Sequence, residues 1–131
     1  NFVEKNEFIT RINELMDVLN KCAPDKYVIK PHPRLNKMYG KMSDVKYIVP
    51  SYIPLQILLS HDWELAIGFD SGALNSVAKN TNAQVISLID TVKYKSKEIK
   101  NKFRNNLIKN SKNKIKFLNE IKEINKFLKN K

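Results

Sequence analysis

Two short segments hold the residue types best suited to chemistry. Lys30-Pro31-His32-Pro33-Arg34 sets a histidine between two prolines, and further on Gly68-Phe69-Asp70-Ser71-Gly72 sets a serine ahead of a helix start. Each follows an apolar run, Tyr27-Val28-Ile29 and Leu65-Ala66-Ile67. Flanking prolines fix φ and remove backbone donors, so His32 is held stiffly in an extended turn. An imidazole so placed can donate to a phosphate oxygen, with Lys30 and Arg34 adding positive charge. The plainer alternative is a histidine that closes a strand-to-loop turn. Ser71 has two readings as well. A serine at a helix start caps free backbone N–H groups, and the same N–H groups with the helix dipole make an anion site. Gly68 and Gly72 would let a ligand approach the backbone. Asp70 opposes this, since a carboxylate repels a phosphate unless it points away or meets a hydroxyl. A third segment, Ile53-Pro54-Leu55-Gln56, places Gln56 in a first helical turn, where it can hydrogen-bond a ribose or simply face solvent. His61-Asp62-Trp63 reads as a loop before a strand, and Cys22 as a small residue near a helix end.

The elements that must position these groups follow from periodicity. Phe8, Ile12, Leu15, Met16 and Leu19 recur at helical spacing and predict a helix over 3–20. Pro24-Asp25 breaks it, and strands are expected at Tyr27–Lys30, Val45–Val49, Glu64–Phe69 and Val85–Ile89. Residues 34–43 are polar, contain Gly40 and read as a loop. Pro54 suits the first turn of a helix through Leu59, and Ser71–Lys79 reads as another. This alternation predicts an α/β, Rossmann-like parallel sheet with right-handed crossovers. Beyond it, Ile99, Phe103, Leu107 and Ile108 suggest one helix, and Ile115, Leu118, Ile121, Ile124 and Leu128 a second.

With 131 residues the chain can bury a real core. Its single cysteine excludes an intrachain disulfide framework and fits a reducing cytoplasm. No run of about eighteen apolar residues is present, so attachment to a membrane would be peripheral. The chain begins at Asn1, as a fragment of a longer polypeptide would. Residues 1–90 carry 10 Lys and Arg against 10 acids; residues 91–131 carry 14 against 3 and hold all of the +11 net charge. The expected organisation is therefore a neutral, Rossmann-like domain over 1–90 and a basic helical segment over 91–131. That segment packs on the domain or a missing partner, docks an anionic membrane surface, or, least favoured by its lysines and sparse aromatics, binds nucleic acid.

His32-Pro33, Gln56 and Ser71, in that order, resemble the motifs of bacterial two-domain, GT-B type sialyltransferases, the lipooligosaccharide sialyltransferase and capsule polysialyltransferase group. Those families have a His-Pro motif and a later Ser-Ser or Ser-Thr motif, both contacting the cytidine monophosphate part of CMP-sialic acid. Here Phe69-Asp70-Ser71-Gly72 keeps one serine of the second, and Gln56 stands where some relatives have an Ile-Pro-x-Glu glutamate on the ribose. The resemblance spans roughly residues 26–90. It implies the carboxyl-terminal donor-binding half of a glycosyltransferase that moves sialic acid to a glycan hydroxyl with inversion and without a metal or other cofactor. His32 would bind and protonate the departing phosphate, and Ser71 would hold it. Lys30, Pro33, Gln56, Gly68 and Gly72 would complete the nucleotide site. The general base would belong to an amino-terminal domain outside this chain, and the enzyme would be cytoplasmic, peripheral on the inner membrane. Phosphate sites look alike across such folds. The alternatives are thus a glycosyl- or glycerophosphate transferase using a CDP or UDP donor, or a non-catalytic α/β interaction domain.

Overall fold

The computed structural model describes residues 3–22 and 63–128. The chain divides into two compact units, Asn1–Glu4 with Leu55–Glu120, and Lys5–Pro54 with Ile121–Lys131.

The first unit is α/β. Strands β1 (Leu65–Gly68), β2 (Gln84–Ser87) and β3 (Ile115–Phe117) form a parallel sheet in that spatial order. Leu65 pairs with Gln84 and Gly68 with Ser87, while Val85 pairs with Ile115 and Ser87 with Phe117. Helix α2 (Ala73–Asn80) joins β1 to β2, and α3 (Lys97–Asn110) joins β2 to β3. Parallel neighbours need such crossovers, and a common hand puts both helices on one face of the sheet. The core agrees: Leu74, Val77 and Ala78 of α2 cluster with Leu107 of α3 and with Val85 and Ile115, which are partners in the sheet. Central β2 buries Val85, Ile86 and Ser87 in succession, as a strand covered on both faces must.

Helix α3 starts at Ser96, whose hydroxyl accepts the Ile99 N–H at 3.4 Å. It ends where Lys112 (φ 56°) and Asn113 (φ 65°) take left-handed conformations. The Asn113 N–H then closes on the Ile108 carbonyl at 3.1 Å, which turns the chain back along β2.

In the second unit, α1 (Lys5–Cys22) packs with a 3-10 turn (Ile121–Ile124) and a one-turn helix, α4 (Asn125–Leu128). Ile12, Met16 and Leu19 make its buried stripe, matched by Ile121 and Ile124. Cys22 Sγ donates to Asn125 Oδ1 at 2.8 Å, which gives the lone cysteine a structural role.

The helices expected at 3–20, at 71–79 and in the first part of the basic segment are present, as is the strand at 64–69, with ends moved by one or two residues. Two expectations need correction. The strand at Val85–Ile89 stops at Ser87, because Ile89–Thr91 coils into a 3-10 turn closed by the Val92 N–H on the Ile89 carbonyl. The second basic-segment helix does not form: Ile115–Phe117 is a strand, followed by the 3-10 turn and α4. Apolar residues three apart (Ile115, Leu118, Ile121, Ile124) satisfy a strand leading into a 3-10 turn as well as a helix, and the sheet-edge pairing of Ile115 with Val85 decides between them. The elements expected at Tyr27–Lys30, Val45–Val49 and 54–59 lie outside the described residues.

Candidate functional site

All three strands run parallel, so their carboxyl ends share one edge, the side on which open α/β sheets bind ligands. The loop leaving β1 is tied there by β2. Leu88 N–H donates to the Gly68 carbonyl at 2.7 Å, and the fully buried Ser87 hydroxyl donates to the Phe69 carbonyl at 2.5 Å. The Ile89 N–H in turn donates to Ser87 Oγ at 3.3 Å. These bonds satisfy a strand end that would otherwise expose unpaired carbonyls.

The glycines differ in role. A Cβ on Gly68 would stand 3.0 Å from Leu74 Cδ2, so glycine here admits α2 onto β1. A Cβ on Gly72 would meet nothing within 4 Å, and its φ of −61° is open to any residue. Gly72 thus leaves an exposed, uncluttered approach at the head of α2.

Ser71 sits beside it. Its Oγ accepts the Ala73 N–H at 3.1 Å, and its carbonyl accepts the Leu74 N–H at 3.1 Å. Asn75 N–H closes on the Gly72 carbonyl at 3.0 Å. The amides of residues 73–75 are therefore already engaged within the turn. What remains for an anion is the Ser71 O–H, which has no acceptor among the described residues, together with the dipole of α2.

Asp70 meets a hydroxyl. Tyr94 O–H donates to Asp70 Oδ2 at 2.5 Å, which draws the carboxylate toward the segment after β2. Tyr94 is held in place by an antiparallel bridge to Val3, by packing with Ile89, Val92 and Phe103, and by Lys100, whose Nζ lies 5.9 Å from the ring centre while donating to the Val92 carbonyl. Burial first, then the hydrogen bond to Asp70 and its charge, push the Tyr94 pKa far above the ordinary phenolic range. It stays a donor at any physiological pH.

The ends of β2 and β3 carry a third arrangement. Arg104 Nε donates to both oxygens of Asp90 at 3.1 and 3.2 Å, and its guanidinium stacks 4.4 Å from the centre of the Phe117 ring. Asp90 follows β2, and Phe117 is the last residue of β3.

Of the site residues expected from sequence, the structure brings Gly68, Ser71 and Gly72 to one loop at the carboxyl edge. Lys30, His32, Pro33 and Gln56 lie outside the described residues. Tyr94, Asp90 and Arg104 were not singled out by the motifs. Arg104 did carry a signal: it is the single arginine among 14 basic residues in 91–131, and arginine differs from lysine in making planar, stacked, forked contacts. Among the described residues no three His, Cys, Asp or Glu side chains gather as metal ligands, and no helix is long and apolar enough to cross a membrane. Compared with protein-family models, with curated proteins and with solved structures, the chain matches none.

Proposed function

We propose that the carboxyl edge of this sheet is the donor-nucleotide half of a glycosyltransferase, with CMP-sialic acid as donor and a glycan hydroxyl as acceptor. One observation carries the proposal: the loop after β1 offers a Ser71 O–H with no acceptor among the described residues and an exposed Gly72 at the head of α2, while its acid is tied to Tyr94. A loop that had to bind an anion would need its own carboxylate engaged in this way.

In this role Ser71 donates its proton to the donor phosphate, and the positive end of α2 favours the charge that grows on that phosphate as the glycosidic bond breaks. The sialyl centre passes through an oxocarbenium-like state. The resemblance alone assigns His32 to binding and protonating the departing phosphate, Lys30 and Pro33 to the nucleotide, and Gln56 to the ribose. The base that activates the acceptor belongs to a domain outside this chain, so the chain by itself binds nucleotide and does not transfer sugar. The reaction needs no metal from these residues.

Calorimetric titration of the full chain with CMP, CDP, UMP and AMP tests this. CMP is expected to bind in preference to the others. Ser71→Ala and His32→Ala are each expected to weaken it about tenfold, some 1.4 kcal/mol. Gly72→Ala, whose Cβ meets no protein atom, should leave stability within about 0.5 kcal/mol and still weaken binding by crowding the phosphate. A preference for CDP or a uridine nucleotide would keep the site and change the donor. A folded chain that binds none of the four would return this loop to purely structural duty, as a cap and a packing turn.

A further inference from the structure

We infer that Arg104 is an anion-binding residue of this edge, its guanidinium prepared to grip an oxyanion of the phosphate class; that the oxyanion belongs to the donor nucleotide rests on the function proposed above. The inference starts from how the side chain is spent. Its Nε is used on Asp90, at 3.1 and 3.2 Å from the two oxygens, and its face is used on Phe117, at 4.4 Å. Neither Nη nitrogen hydrogen-bonds any described residue, and the side chain is 35% exposed. Each Nη carries two N–H donors, so four donors on a group already oriented by Asp90 and Phe117 meet no acceptor among the described residues.

That is an unusual use of an arginine whose only task is an ion pair. A structural pair gains most from the bidentate geometry, with Nε and an Nη, or both Nη, on the two carboxylate oxygens. Here a single nitrogen serves both oxygens, and neither Nη is spent on a described residue. Orientation by one carboxylate and one ring also removes much of the rotamer entropy that a long side chain would lose on binding. Asp90 lowers the net charge at the spot, so the grip is directional rather than a bare positive field.

Position supports the same role. Asp90 follows the end of β2 and Phe117 closes β3, so the guanidinium lies at the carboxyl edge that also holds Ser71 beyond β1. Neighbouring strands are about 4.8 Å apart, which puts the ends of β1 and β3 about two spacings apart, within the span of a nucleotide. Lysine at this position would keep the charge and lose both the fork and the Nε bond.

The test is titration of the full chain, with the side-chain nitrogen resonances of Arg104 followed by NMR and affinities taken by calorimetry. The probes are CMP, cytidine and inorganic phosphate. CMP and phosphate are expected to shift the Arg104 side-chain resonances, and cytidine to leave them unmoved. Arg104→Lys is expected to weaken CMP about tenfold and to leave cytidine binding unchanged; Arg104→Gln, which retains a planar amide against Phe117, serves if the lysine variant melts early. Resonances unmoved by both CMP and phosphate would overturn the inference, as would an Arg104→Lys chain that binds CMP like the parent. Two mixed outcomes separate the claims. CMP binding that depends on Ser71 and not on Arg104 would sink Arg104 and leave the nucleotide site. Phosphate moving the Arg104 resonances while no nucleotide binds would uphold the anion grip and sink the nucleotide site.

Discussion

Tyr94 is held protonated by its burial and by the carboxylate to which its hydroxyl donates. Its pKa is raised on folding, so it contributes stability in full below the unfolded phenolic pKa of about 10 and loses that contribution as pH climbs toward the folded value. Between those limits the unfolded chain has released a proton that the native chain keeps, and stability falls by about 1.4 kcal/mol per pH unit on this account. Tyr94→Phe removes both the bond and the titration. Near neutral pH the variant is expected to be less stable by about 1–2 kcal/mol, the worth of a partly buried hydrogen bond to a charged group. Urea unfolding at pH 7 and at intervals up to pH 11 would show the gap between parent and variant closing above pH 10; a gap of constant size would mean that Tyr94 does not carry this linkage. The pairing also shows what sequence could and could not reveal about the site. A carboxylate beside Ser71 had to point away or meet a hydroxyl, and that condition was legible at Asp70. Which hydroxyl would answer it was not, because Tyr94 lies 24 residues further on and only the fold brings the two together.

The elements divide by how local their causes are. Helix α1 and helix α3 carry their own signals, the apolar spacing of Ile12, Met16 and Leu19 in one and of Ile99, Phe103, Leu107 and Ile108 in the other, and both were expected from the chain alone. Strand β3 is different. Ile115-Lys116-Phe117 alternates apolar and polar residues as a strand does, but it is short, and its neighbours at three-residue spacing point toward a helix. Two facts override them, one nonlocal and one local: the pairing of Ile115 with Val85, and the left-handed reversal at Lys112 and Asn113. Asparagine tolerates that conformation, whereas lysine has a Cβ that opposes it by about 1–2 kcal/mol. The reversal is therefore made under strain, in a place where glycine would relieve it. Lys112→Gly, at φ 56°, is expected to stabilise the chain by roughly 0.5–1 kcal/mol after the larger entropy of the unfolded glycine is set against the relief. Urea midpoints of the two proteins at neutral pH measure this. A variant that is less stable would show that Lys112 makes a contact worth more than the strain.

At the scale of the whole molecule the question is what a net charge of +11 is for. Its source, residues 91–131, buries part of its apolar stripe in the fold: Leu107, Ile115, Leu118, Ile121 and Ile124 are all buried. Its lysines instead cover a folded surface, with Lys97, Lys102 and Lys109 exposed along α3. Helix α3 is the element that also carries Arg104 to the carboxyl edge, and a field of this sign concentrates anions around it. The same reasoning gives a prediction for the nucleotide. Exposed charges act over a Debye length of about 10 Å at 0.1 M salt and about 3 Å at 1 M. CMP affinity should therefore fall at least severalfold between about 0.02 M and 0.5 M sodium chloride, while cytidine, which lacks the phosphate, should bind equally at both. Changing Lys97 and Lys102 together to glutamine separates the field from the grip. The double variant should bind CMP more weakly than the parent at low salt and match it at high salt, where direct contacts to the phosphate remain and the field of the lysines does not. If parent and variant keep the same ratio across the salt range, the lysines act by contact rather than by field, and the anion then sits along α3 itself, away from the end of β1.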